Sequence, residues 1–318
     1  MSAAPGRPKQ SRAPSGGSEP RAAGSVGAIS AAPGRPKQAR APSGGSEPRA
    51  AGSVGATSIA DYAVATPAGR LFARSWTPDA DLHVPPVLLF HDSLGSVELW
   101  RDFPAALAQA TGRRVLAYDR LGFGRSDACA DALTPAFVRH ESLVSVPALC
   151  AQLGIDRFVA FGHSVGGAMA VETAVAFGER CTALVTESAQ TFPEDCTLEG
   201  IRVAQAQFAQ PGQLERLARY HGDKARWVLE AWTGTWLSPA FADWSIHALL
   251  PAVRCPVLAI HGEDDEYGSL VHPRRIAASV AGPAEALLLP GCGHVPHREQ
   301  PQAVLAAVAR FLAADQKS

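Results

Sequence analysis

From Val87 onward the chain alternates two textures. Short unbroken apolar runs, at 87–91, 114–118, 158–161, 183–187, 257–261 and 285–289, read as strands buried on both faces. Between the first four lie stretches with apolar residues spaced at three and four, at 98–110, 136–152 and 165–178, which read as helices. This alternation predicts an α/β fold with a mostly parallel, doubly wound sheet. In front of it, residues 60–77 flank Pro67-Ala68-Gly69 with strand-like pattern, which predicts a hairpin. An amphipathic helix is expected over 302–313, after Pro301.

One segment breaks the rhythm. Residues 190–250 have no strand-like run, show helical spacing, and hold Trp227, Trp232, Trp236 and Trp244, four of the chain's six tryptophans. The expected organisation is therefore a core from 58–189 and 251–318, with 190–250 as a helical cap. Such a cap would lie over the carboxyl ends of the strands, where open α/β sheets bind ligands. The tryptophans admit two readings: packing against the sheet domain or, for Trp232 and Trp236, lining a pocket for a bulky apolar substrate.

Residues 1–57 differ from everything after them. Residues 2–29 return as 30–57 with only Ser11/Ala39 and Ile29/Thr57 changed, a period of 28 residues. The copies have almost no large apolar side chains to stack, so a disordered low-complexity tail is expected rather than a solenoid. This tail carries a charge of +6 and leaves −7 on the rest. The whole chain, at −1, is too nearly neutral for nucleic-acid binding to be its main role. No apolar run reaches membrane-spanning length. The six cysteines are scattered without a C-x-x-C pair or a cluster of histidines around them, so free thiols, a reducing cytoplasmic setting and no metal site are expected.

The candidate chemistry starts at Gly162-His163-Ser164-Val165-Gly166, between a strand and a helix. Glycines two before and two after a serine permit a turn sharp enough to project its Oγ clear of the sheet. Two later segments complete a pattern. "IHGEDDEYG" (260–268) follows one strand and "PGCGHVPHREQP" (290–301) follows the last. The order serine, acid, histidine results, each just past the carboxyl end of a strand.

With "HDSLGS" (91–96) and "DRLGFGRS" (119–126), these motifs are similar to those of the α/β-hydrolase family in its serine form, over about 250 of 318 residues. The resemblance implies Ser164 as nucleophile and His294 as the base that takes and returns its proton. It places the acid three residues after Gly262, at Asp265, with Asp264, Glu263 and the more distant Glu187 as rivals. His297 competes with His294. The oxyanion hole would be the N–H groups of Val165 and Ser93. Here the chain departs from the family pattern, because Asp92 stands where a glycine is usual. A carboxylate facing the hole would oppose an oxyanion, so Asp92 is expected to point away.

His163 is expected to pack under the turn, His91 to brace the oxyanion loop, and Asp119 and Ser126 to fix a turn beside the site. His83, His140, His221, His247 and His272 are expected at the surface or in the cap. Serine at the elbow disfavours the dehalogenase and epoxide-hydrolase branches, which use aspartate. The implied activity is ester or lactone hydrolysis through an acyl-enzyme, on a small-molecule substrate, without metal or organic cofactor, by a monomer or homodimer. "HDSLGSVELWRDFP", "GEDDEYG" and "CGHVPH" also resemble serine esterases that open macrolide lactones. Alternatives on the same triad are C–C bond hydrolysis, with Arg120 and Arg125 as weak candidates for a substrate carboxylate although both are expected to face solvent, and haloperoxidase-like activity. A non-catalytic small-molecule receptor is the reading from another class.

Overall fold

A computed structural model describes residues 57–79 and 84–315. The repeat before Thr57 and His83 lie outside the described residues. Eight strands form one sheet: β1 (Ser58–Thr66), β2 (Gly69–Thr77), β3 (Val87–Phe90), β4 (Val115–Tyr118), β5 (Phe158–His163), β6 (Cys181–Glu187), β7 (Val257–Gly262) and β8 (Ala284–Leu289). Their order is β1-β2-β4-β3-β5-β6-β7-β8. β1 and β2 form the expected hairpin, β2 runs antiparallel to β4, and every later pairing is parallel.

The unbroken apolar runs follow from the sheet having two cores. Leu88, Phe90, Leu116, Tyr118 and Ala160 pack into the core on one face. Their neighbours Val87, Leu89, Val115, Ala117 and Phe161 pack into the core on the other. Successive strand side chains point to opposite faces, so a strand covered on both sides must be apolar at every position. Each such Leu or Phe, fully buried, stabilises the fold by about 1.5–3 kcal/mol.

The helices fill these faces. The stretch expected at 98–110 is a 3₁₀ turn, Val97–Trp100, followed by a helix, Phe103–Thr111. The stretch at 136–152 is Phe137–His140 and Val146–Leu153, joined by a π-helical turn, Glu141–Ser145. Between β6 and β7 come three helices, Asp195–Phe208, Gln213–His221 and Ala225–Trp236. A small cluster of Phe208, Leu217, Ala225 and Val228 with Leu94 and Phe123 packs them against the loops after β3 and β4. Pro301–Asp315 closes the described chain.

Candidate active site

The turn after β5 is built by close approach. A Cβ on Gly162 would lie 2.0 Å from the Gly166 carbonyl oxygen, and one on Gly166 would lie 2.1 Å from that of Phe90. Both positions therefore exclude any side chain. Between them Ser164 adopts φ 56° and ψ −127°, one of three non-glycine residues with positive φ among those described. Such a conformation costs on the order of 1–3 kcal/mol and persists only where its surroundings enforce it. Here Ser164 N–H donates to the Glu187 carbonyl and Gly167 N–H donates to the Ser164 carbonyl, each at 2.8 Å. The following helix, Val165–Phe177, starts at once.

Ser164 and His294 line one cavity, with Trp232 and Trp236 on its wall. His294 Nδ1 lies 2.9 Å from both carboxylate oxygens of Asp265. Asp264 and Glu263 are exposed, and Glu187 accepts instead from His297 Nδ1–H at 2.7 Å. The Asp265 side chain is fully buried and also accepts from Tyr267 N–H at 2.8 Å. Trp236 also packs against Phe241, tilted at 4.9 Å, and edge-on to Trp244 at 5.7 Å.

Sequence reasoning missed His261. Its Nε2 lies 3.2 Å from Asp265 Oδ2 and 2.9 Å from the Gly268 carbonyl, so the Asp265 carboxylate sits between two imidazoles. A histidine four residues before Asp265 was the only sign, hidden because it is the fifth residue of an otherwise apolar strand.

The charges follow from this packing. Burial alone would lower the His294 pKa, but the Asp265 charge and hydrogen bond outweigh it and raise it to about 9. Burial pushes Asp265 the other way from its neighbours, and His294 prevails, lowering it. A base must be neutral to accept a proton, so kcat/KM should climb with pH and level off only above about 9. Stability should move oppositely. The pairing is fully present below 6.5, the unperturbed value, and is lost as pH rises through about 9. A pH–rate profile beside a pH–Tm series checks both; a plateau already reached at pH 7 would refute the coupling.

The loop after β3 supplies the other side of the site. Gly95 must be glycine, because a Cβ there would meet the His91 Cβ at 2.7 Å. Asp92 needs no left-handed backbone, being absent from the positive-φ residues. Asp92 is among the residues that line the cavity, and its carboxylate accepts from Leu94 N–H at 2.8 Å and faces His163 Nδ1 at 3.3 Å. Among the described residues, Ser93 and Val165 N–H groups have no acceptor within the protein, which suits an incoming oxyanion. His91 braces the loop as expected, with Nδ1–H donating to the Asp92 carbonyl and Nε2 accepting from Arg120 N–H. Asp119 and Ser126 fix the neighbouring turn, Asp119 by accepting from Val97 and Arg125 N–H groups.

Two expectations about placement fail. Arg120 is only 3 % exposed; its guanidinium donates to the Asp92 carbonyl and lies over Phe123. Cation–π contact and a carbonyl acceptor offset the desolvation that solvent exposure would have avoided. His272 is fully buried, 2.9 Å from Glu194, and sits in neither surface nor cap. His221 lies in the insert, one of its two expected places, and is buried there, joining Gly124 N–H to the Leu94 carbonyl.

For metals, the one cluster of three donors among the described residues is His163, Glu187 and His297, with candidate atoms within 4.8 Å of one another. Its histidines already meet oxygen partners: both His163 nitrogens, and His297 Nδ1. A metal would have to displace these. None of the six cysteines forms a disulfide, and no helix among the described residues is long and apolar enough to cross a membrane.

A sequence profile of the alpha/beta hydrolase family matches residues 87–308. Among curated proteins, the chain is 30 % identical over 109 residues to a 1-acylglycerol-3-phosphate O-acyltransferase of Sus scrofa, 34 % of this chain and 31 % of that one. It is 27 % identical over 154 residues to an sn-1-specific diacylglycerol lipase of Xenopus laevis, 40 % of this chain and 46 % of that one. The chain thus spans less than half the length of these relatives. Among solved structures, a 2-hydroxy-6-oxo-6-phenylhexa-2,4-dienoate hydrolase from Rhodococcus sp. strain RHA1 superposes with TM-score 0.65 at 20 % identity, covering 81 % of this chain and 100 % of that one. A profile spanning most of the chain, over an eight-stranded sheet with the strained serine after β5, shows that the protein belongs to the alpha/beta hydrolase family.

Proposed function

We propose that the protein is a serine hydrolase that cleaves carboxylic esters or lactones through an acyl-enzyme. The observation that carries this reading is the strained Ser164 sharing a cavity with His294, whose Nδ1 is held by a buried carboxylate. Ser164 Oγ attacks the carbonyl carbon while its proton passes to His294 Nε2. The carbonyl oxygen, now an oxyanion, accepts from the N–H groups of Ser93 and Val165. As the tetrahedral intermediate collapses, His294 returns the proton to the departing alcohol oxygen. Water, deprotonated by His294, then adds to the acyl carbon and releases the acid, restoring Ser164.

The cavity wall favours esters over the carboxylated diketones of C–C hydrolases. No lysine or arginine lines it among the described residues, so a substrate carboxylate would find neither of the two permanent cations as a partner there. Leu94, Ile201, Trp232 and Trp236 suit an apolar acyl group. Gln190 Oε1, buried without a partner, offers an acceptor on the same wall. The cavity measures about 520 Å³ including its open mouth. A macrolide lactone, a candidate on loop resemblance, would insert only the part around its ester.

A series of p-nitrophenyl esters from acetate to decanoate, with a macrolide followed by mass spectrometry, tests this. Turnover should rise with acyl length until the cavity is filled. A macrolide gaining the mass of one water would identify lactone opening. Tight ligand binding without turnover of any ester would replace this reading with that of a receptor.

A further inference from the structure

Asp92 poses a problem for the chemistry just proposed. It stands in the oxyanion loop, immediately before Ser93, and its carboxylate shares the cavity wall with Ser164. An uncompensated anion there would repel the charge that develops on the substrate oxygen. The compensation is His163, the residue before the nucleophile, only 1 % exposed. Its Nδ1 lies 3.3 Å from Asp92 Oδ2, and its Nε2 lies 2.8 Å from the His294 main-chain oxygen.

Both of these partners are acceptors only. A neutral imidazole has one N–H and one bare nitrogen, so it can satisfy one of them and must set a lone pair against the other. His91 shows the contrast within the same loop. Its nitrogens face one acceptor, the Asp92 carbonyl, and one donor, Arg120 N–H, which a neutral ring satisfies completely. His163 satisfies its surroundings only with both protons.

We propose that His163 is a positioning residue, held as an imidazolium, that cancels the Asp92 charge beside the oxyanion hole and pins the main chain of His294 to the nucleophile turn. This rests on the serine-hydrolase reading and adds to it a charged clamp between the two loops that flank Ser164. Other groups around the ring are consistent with a cation there. Glu187 is a buried carboxylate on β6 with one oxygen, Oε1, unpartnered. The Trp100 ring lies 6.3 Å away, while the His294 and His297 rings, at 5.2 and 5.0 Å, face His163 as titratable neighbours whose own protonation opposes a charge there. Burial would raise the Asp92 carboxyl, but the hydrogen bond and charge of His163 hold it far below its usual range, with smaller contributions from His91 and Arg298.

The inference explains why aspartate is tolerated where a glycine is usual in the resembling loops. Asp92 and His163 act as one unit, nearly neutral as a pair, and neither has the same effect without the other. Removing the histidine alone should therefore be worse than removing both.

The test is a double-mutant cycle in the full chain, read as kcat and KM on the best p-nitrophenyl ester. His163→Phe keeps a ring but leaves Asp92 bare, and should lower kcat about 10²-fold with KM within about threefold. Asp92→Asn keeps the bond to Leu94 N–H and should lower kcat by less than about tenfold. The double variant should recover at least about tenfold over His163→Phe, incompletely because the pin on His294 is gone. A double variant as slow as His163→Phe overturns the proposal. If His163→Phe does not fold, the ¹⁵N shifts of the His163 ring in the unmodified protein decide. Two protonated nitrogens support the clamp, and one bare nitrogen refutes it. Loss of all ester turnover in the unmodified protein would instead refute the hydrolase reading, and the ring shifts would still decide the charge of His163.

Discussion

Ser164→Ala should abolish ester turnover while leaving the melting temperature nearly unchanged. Without the hydroxyl no acyl-enzyme forms, and water must attack unaided, so kcat should fall by about 10⁴-fold or more. Little stability should be lost, because no described residue hydrogen-bonds to Ser164 Oγ and alanine keeps the φ of 56°. Ser164→Gly makes the sharper comparison. Glycine reaches positive φ without steric cost, so it releases the strain while also deleting the nucleophile. Its unfolded chain gains some entropy, leaving a net gain of about 1 kcal/mol. For a domain of this size that is a rise of about 2–4 °C. The two variants together separate the chemistry of the hydroxyl from the conformation imposed on it. Residual turnover above about 10⁻² in both would mean that another group attacks the ester.

Much of this architecture was legible in the chain because it is enforced locally. The middle of a strand covered on both faces is apolar on both sides, and residues 87–90 and 158–161 carry that requirement in their sequence. The glycines flanking Ser164 are likewise forced by contacts of 2.0 and 2.1 Å. What could not be read is set by residues distant in sequence. Arg120 looks like a surface residue until the Asp92 carbonyl and the Phe123 ring arrive beside it. His272 pairs with Glu194, 78 positions earlier, and nothing near either residue announces the other. Asp265 could be preferred to Asp264 only by its offset from Gly262, since both are acids in one exposed-looking run. Which of them turns inward is decided by the His294 and His261 rings that close over it.

Asp265→Asn is the substitution that tests that decision, and it should lower kcat by about 10⁴-fold. The loss comes from the tautomer rather than the position of the ring. Asp265 Oδ1 is already an acceptor for Tyr267 N–H, so an asparagine that keeps that bond turns its NH₂ toward the histidines. His294 Nδ1, 2.9 Å away, would then face a donor and give up its proton, leaving Nε2 protonated and unable to accept from Ser164. His261 Nε2, 3.2 Å from the other oxygen, would meet the same NH₂ and gain nothing from it. The rise of the pH–rate profile should also shift to lower pH, since the carboxylate that raises His294 to about 9 is gone. Asp264→Asn, an exposed change with no part in this arrangement, should leave kcat within about twofold. The rival is the second buried pair, Glu187 with His297, joined at 2.7 Å. His297 does not line the Ser164 cavity, so Glu187→Gln should disturb packing more than chemistry. Were Asp265→Asn to keep a tenth of the activity while Glu187→Gln lost nearly all of it in a folded protein, the working acid would be Glu187 and the base His297.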